Sequence, residues 1–264
     1  LLKEIVNVVR TTKLKHVVKA MKSPSHSFRK AKYHYRRVPE KTFITFFATQ
    51  LGHSDKTVDK AYMELDNHRA LWEEIGEKLS IYPNSYGSQM TRELSALYLL
   101  VRLLQPNHLV ETGVSAGVSS AYILAAMEDN DTGKLHSIDL PPDNLPNGKK
   151  VGWVVPDHLK NRWSLYIGDA LDFLEPVLSD IGTIDCFIHD SLHTYEHMTW
   201  EFRTAWNFLC NGGLFLSHDV GANEAFFDFM EEKGIAWKQY RVFHVLGGFK
   251  KFETQKRFSL KNKR

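Results

Sequence analysis

Between residues 109 and 120 the chain reads LVETGVSAGVSS: an apolar run ending in Glu111, a turn bearing Gly113 and Gly117, and the start of a helix. A second apolar run, LHSIDL at 135–140, carries Asp139, 28 residues after Glu111. That interval is about the length of one strand, turn, helix and next strand in a βαβ unit. Such a unit has a ligand-binding edge. The glycines let the backbone approach a ligand closely, and the N–H groups at the helix start favour polar or anionic groups. An acid at the tip of the next strand can accept hydrogen bonds from two ribose hydroxyls. The spacing is not the dinucleotide fingerprint, because G-x-G-x-x-G needs a glycine where Ser115 stands, so a pyrophosphate cradle is not supported. Taken alone, the turn leaves an ordinary strand-to-helix connection open.

The rest of the chain repeats the pattern. Strands are predicted over 108–112, 134–139, 163–167, 184–189 and 213–218, alternating with helices over 117–128, 170–180 and 195–209. Alternation of this kind predicts a parallel sheet covered by helices on both faces. A helix from 221 to about 233 is followed by β-rich runs at 237–245 and 248–254, joined at Gly247-Gly248, which predicts an antiparallel hairpin at the sheet edge. Ahead of the sheet, helices are predicted over 56–79 and 88–104, separated by a turn at 83–87. Residues 1–22 space Leu2, Ile5, Val6, Val9, Val17, Val18 and Met21 among lysines as an amphipathic helix. It packs on its own domain or a partner subunit, or lies on a membrane surface; residues 23–40 read as irregular. The expected organisation is a basic helical extension over 1–85, an α/β domain over 86–254 and a basic tail over 255–264. The Pro/Gly-rich loop at 141–156 sits beside the carboxyl edge as a candidate lid.

Composition narrows the class. With 43% hydrophobic and 25% charged residues among 264, the chain reads as a soluble globular protein. The longest apolar run, 96–104, is broken by Arg102 and is too short to span a bilayer. No secretory signal is visible, and the first residue, Leu1, leaves a preceding segment open. Cys186 and Cys210 lack a C-x-x-C spacing, which indicates two reduced thiols and a cytoplasmic location, with neither a disulfide scaffold nor a zinc site. The net charge of +3 hides basic ends: 12 Lys/Arg against 2 Asp/Glu in residues 1–41, and 7 against 1 in residues 248–264. No nucleic-acid motif accompanies them, so no specific nucleic-acid partner is expected.

The series continues through Gly168-Asp169-Ala170, IDCFIHDSLHTYE at 184–196 and GGLFLSHDV at 212–220. In this order the segments resemble class I S-adenosylmethionine-dependent methyltransferases. They look most like the small-molecule O-methyltransferase group with an ETGV-type first turn and a D-S-x-H-x-Y-E element, whose relatives include macrocin-type sugar O-methyltransferases and cephalosporin hydroxylase-like proteins. The resemblance covers roughly residues 86–254. It implies a Rossmann-like, doubly wound, mostly parallel seven-stranded sheet with an antiparallel edge hairpin. It also implies S-adenosylmethionine as cofactor. Position by position, the turn of Glu111, Gly113, Ser115 and Gly117 would meet the methionine portion and Asp139 the ribose. Asp169 and Ala170 would border the adenine, although Asp169 also suits an N-cap for the helix at 170–180.

Two His-Asp pairs, His189-Asp190 and His218-Asp219, end adjacent predicted strands. Successive strand residues point to opposite faces, so the four side chains cannot all enter one pocket, and the aspartates are expected to leave the sheet at its ligand edge. The resemblance implies Asp190 and Asp219 as carboxylate ligands of a divalent cation, magnesium or another, with a role as polar site residues or caps left open. The chain departs from the catechol-type pattern at Val220, where an amide is expected; Asn223 or Glu224 could substitute. His193, with Asp190, is the candidate for catalysis, as the base removing the acceptor's proton, or else a helix cap. Tyr195 and Glu196 stand close to it. His197, His158 and His136 read as surface or capping residues. Trp153, Trp163 and Trp200 fit an acceptor pocket or the core. The expected reaction is methyl transfer to an oxygen of a small molecule, a sugar or natural-product hydroxyl. The alternatives are a hydroxylase-like relative on the same fold and a non-catalytic cofactor-binding module docked on a membrane or partner through its basic ends. A homo-oligomer is left open.

Overall fold

The computed structural model describes residues 37–82, 91–143 and 145–252. The helix expected over 1–22, most of the irregular segment that follows it, the turn at 83–87 and the 255–264 tail lie outside the described residues. Seven strands form one sheet: β1 (His108–Thr112), β2 (Lys134–Asp139), β3 (Trp163–Ile167), β4 (Ile184–His189), β5 (Leu209–Ser217), β6 (Tyr240–Phe243) and β7 (Leu246–Lys250). Their order is β3-β2-β1-β4-β5-β7-β6. Neighbours from β3 to β5 are parallel, and β7 runs antiparallel to both β5 and β6. The chain winds outward from β1 in both directions, so the β1/β4 junction is the switch point where an open α/β sheet offers a crevice.

Alternation along the strands divides the core. Leu109, Leu135, Cys186, Leu214 and Leu216 face one side; Val110, Ile138, Phe187 and Phe215 face the other. The first side is covered by α1 (Glu40–Gln50), α2 (Asp55–Asn67), α3 (Arg69–Ser80), α4 (Glu93–Leu104) and α5 (Val118–Asp129). The second is covered by α6 (Ala170–Ile181), α7 (Tyr195–Phe208) and α8 (Ala225–Glu232). On that side Phe215 and Phe249 stack at 5.0 Å across the β5–β7 pair. No described helix is long and apolar enough to cross a membrane.

Three details differ from the sequence reading. The helix expected over 56–79 is two helices broken at His68. That ring bonds Asp129 Oδ2 at 2.7 Å while Trp72 stacks on Tyr122 at 3.7 Å, so the break bends the chain around α4 and α5. Helix α1 was not anticipated; its Phe43, Ile44 and Phe47 are fully buried, and Tyr62 on α2 donates to Glu40 at its start. The hairpin turns at His244-Val245, with Phe243 opposite Leu246, so both glycines lie inside β7. A Cβ on Gly248 would sit 2.5 Å from Leu216 Cδ2 and one on Gly247 2.8 Å from Val220 Cγ1, so these glycines serve packing of the sheet face and not the turn.

Candidate active site at the carboxyl edge of the sheet

Gly113 leaves β1 at φ +87°, and a Cβ there would lie 2.2 Å from the backbone oxygen of Asp190. Only glycine fits both the conformation and the contact, and the contact seats the turn directly against the tip of β4. Asp139, at the tip of β2, accepts the backbone N–H groups of Val114 and Ser115, each at 3.1 Å on a separate carboxylate oxygen. Burial raises its pKa while those two N–H groups oppose the rise. The acid therefore clamps the turn, leaving the second lone pair of each oxygen for a further donor.

Glu111 does not face the edge. It is fully buried and accepts from Ser119 (2.6 Å), Ser120 (2.7 Å) and Ser137 (2.9 Å), and Trp163 Nε1 donates to Ser137 at 2.9 Å. Burial pushes its pKa up to about 7 against the three hydroxyl donors. Its carboxylate braces the start of α5 from beneath the turn. Gly117, the α5 N-cap at φ +94°, is covered by the chain itself: a Cβ would meet Gly152 Cα at 2.7 Å and Val155 Cγ2 at 2.8 Å. Gly152 N–H donates to Ser115 O at 2.8 Å and Val154 N–H to Ala116 O at 3.1 Å, while Val151, Val154 and Val155 are buried. The end of the loop expected as a lid is thus a fixed wall on the glycine turn. Asp169 caps α6 by accepting from Leu171 N–H at 2.9 Å, and Ala170 is buried behind it. Leu140, Ile167 and Leu171, by contrast, are all more than half exposed around the tips of β2 and β3.

At the tips of β4 and β5 lies a cluster of two acids and two imidazoles. His218 Nδ1 stands 3.0 Å from Asp190 Oδ1 and 3.6 Å from Asp219 Oδ2; His193 Nε2 stands 3.5 and 3.9 Å from the same two atoms. Burial disfavours the charged form of His218, but the two carboxylates outweigh it and push its pKa up to about 10. Burial works to raise Asp190, and the facing imidazoles of His193 and His218 overcome this, holding it below the usual carboxylate range. Asp219 is lowered mainly by His218. The backbone sets these positions: Asp190 N–H bonds Thr112 O and His218 N–H bonds His189 O, both at 2.8 Å. Asp219 itself adopts φ +46°. Asn223, a candidate substitute for the missing amide, is turned away; its amide donates to His193 O at 3.1 Å and its oxygen accepts from Ala225 N–H at the start of α8.

Directly beneath is a buried network that the sequence reading did not identify. Glu201, fully buried on α7, accepts from Thr112 (2.7 Å) and His189 Nδ1 (2.6 Å) on one oxygen, and from Ser191 (2.7 Å) and His197 Nε2 (2.9 Å) on the other. Burial opposes its ionisation, yet His189 and the other donors hold it well below the carboxylate range, while Glu201 raises His197. His197, read from sequence as a surface or capping residue, belongs to this network, and His136 is buried in the sheet beside His108 at 3.2 Å. The signal for Glu201 was present: Met198, Glu201, Phe202 and Ala205 share the buried face of α7, and a charge there needs partners.

The strand order, with its antiparallel edge pair, is that of a Rossmann-like methyltransferase fold. Residues 110–220 match the model of a methyltransferase domain family. Among solved structures, the chain is similar to the SAH-bound Podospora anserina methyltransferase PaMTH1, with TM-score 0.52 and 14% identity over 76% of this chain and 97% of that one. It is likewise similar to the Bacillus cereus O-methyltransferase solved with SAH, with TM-score 0.51 and 14% identity over 69% and 91%. At such identities the likeness speaks for the fold. No curated protein matches the chain by sequence.

Proposed function

We propose that this chain transfers the methyl group of S-adenosylmethionine to an oxygen of a small molecule, a sugar or natural-product hydroxyl. The observation that carries the reading is the contact of Gly113 with the backbone of Asp190, which sets a cofactor-type turn and an acid-histidine cluster back to back on one sheet edge. On the turn side, Gly113 and Ser115 offer backbone to the methionine portion, with Glu111 and Gly117 shaping the turn from below and behind. Asp139 keeps lone pairs for the ribose diol. The exposed Leu140, Ile167 and Leu171 form an apolar rim suited to adenine, bordered by Asp169 and Ala170. The cofactor supplies an activated methyl group, and the protein's task is to align the acceptor and remove its proton. That task falls to His193, which stands beside Asp190 and Asp219. The chain is proposed to act in the cytoplasm, with the basic ends left for a partner subunit or a membrane surface.

The test is calorimetric titration of the full chain with S-adenosylhomocysteine. Binding in the micromolar range is expected, about −8 kcal/mol, weakened at least tenfold in Asp139→Asn. Absence of binding to the folded wild type, or equal binding by the variant, overturns the reading.

A further inference from the structure

A fully buried carboxylate needs donors on every side, and Glu201 draws its own from β1, from the end of β4, from the segment that follows β4 and from α7 itself. The helix alone does not call for that charge. Met198, Phe202 and Ala205 share its buried face, and an apolar side chain beside them would pack the same surface. A buried ionic cluster is weak evidence for stability, because well-packed apolar residues commonly serve as well. What the charge adds is the place in which it fixes its partners.

We propose that Glu201 is a positioning residue for the cofactor turn. Its Oε2 accepts from Thr112 Oγ1 and its Oε1 from Ser191 Oγ, both at 2.7 Å. Thr112 immediately precedes Gly113 and Ser191 immediately follows Asp190. The two oxygens thus grip both chains beside the contact in which a Gly113 Cβ would lie 2.2 Å from Asp190 O and 2.9 Å from Ser191 N. Asp139 holds the turn further along, through Val114 and Ser115, and Glu201 fixes where the turn begins.

His189 carries the same grip toward the acceptor side. Its Nδ1 bonds Glu201 Oε2 at 2.6 Å, and its ring packs edge-on against His193 at 5.2 Å. One side chain therefore sets the turn assigned to the cofactor and the candidate base in register. Glu201 is itself fully buried and acts only through these partners, so its role is positional and not catalytic.

The inference rests on the S-adenosylmethionine reading, and its test lets the two fail separately. Calorimetry measures S-adenosylhomocysteine affinity of the full chain for the wild type, Glu201→Gln, Thr112→Val, Thr112→Ser and Phe229→Leu, with circular dichroism and denaturant unfolding of each. Glu201→Gln keeps the shape but turns one acceptor oxygen into a donor, so affinity should fall about fivefold, and about threefold in Thr112→Val. Thr112→Ser keeps the hydroxyl and should bind within about twofold of wild type. That order is the reverse of what strand packing gives, since valine suits a buried strand better than serine. Joining Glu201→Gln to Thr112→Val should weaken binding no further than Glu201→Gln alone, because both cut one tie. Phe229→Leu, in the core on the same side of the sheet, should lower stability and leave affinity unchanged. The Thr112 pair decides the matter even where Glu201→Gln does not fold. A folded wild type that does not bind overturns the reading and the proposal with it. A wild type that binds, with folded Glu201→Gln and Thr112→Val binding equally well, or with Thr112→Ser weaker than Thr112→Val, overturns the proposal alone.

Discussion

Replacing Glu111 by Gln tests how burial and hydrogen bonding balance under the glycine turn. Burial disfavours the carboxylate, three serine hydroxyls favour it, and the outcome is a pKa raised from 4.5 to about 7. A raised carboxyl pKa means that the folded protein holds a proton the unfolded chain has already released. The resulting stability is present in full below the unfolded value and is lost as pH rises to the folded one. At 1.36 kcal/mol per unit, the shift amounts to about 3 kcal/mol. Gln has the same shape and never ionises, so it removes this term and leaves the other titrating groups in place. Denaturant unfolding of both proteins at pH 5, 6, 7 and 8 should show the wild type losing about 3 kcal/mol relative to Glu111→Gln, nearly all of it by pH 7, with a level difference above that. At acid pH the two should lie close, because a protonated Glu and a Gln present similar groups to the serines. A difference that stays flat from pH 5 to 8 would refute the reasoning, since it would mean that the three hydroxyls fully offset burial and keep Glu111 ionised throughout.

Two further substitutions probe the frame of the site. Gly113→Ala combines a left-handed backbone with a contact 2.2 Å from Asp190 O, so a loss of at least about 2 kcal/mol is expected by chemical denaturation; a fully stable variant would show that β1 and β4 do not meet there. Glu201→Ala leaves His189 and His197 buried without their carboxylate, which should cost about 3–5 kcal/mol at pH 7. Because Glu201 is held below its ordinary pKa, the stability it contributes is present at neutral pH and is lost only in strong acid. A loss under 1 kcal/mol at pH 7 would indicate that the network is solvated.

Elements were legible in the sequence where their patterns are local. β1, β2, β3 and β4 fall on the predicted residues because a short, mainly apolar run bounded by turn residues needs only its own composition to be recognised. α1 was passed over because its Phe43, Ile44 and Phe47 follow an irregular, Pro-bearing stretch, and their burial comes from α4, β6 and β7, far along the chain. The break at His68 likewise depends on Asp129, 61 residues away.

The same division holds for the site. The sequence by itself determined which residues reach the carboxyl edge, because period-two alternation and strand length place Glu111, Asp139, Asp169, Asp190 and Asp219 near successive strand ends. Only the tertiary structure decided what each does there. Glu111 is turned inward to three serines, Asp139 clamps backbone, Gly117 meets Gly152, and His218 joins Asp190 and His193. A side chain's partners are set by distances across elements dozens of residues apart, and the balance of desolvation against hydrogen bonding that fixes its charge exists only once those partners are in place.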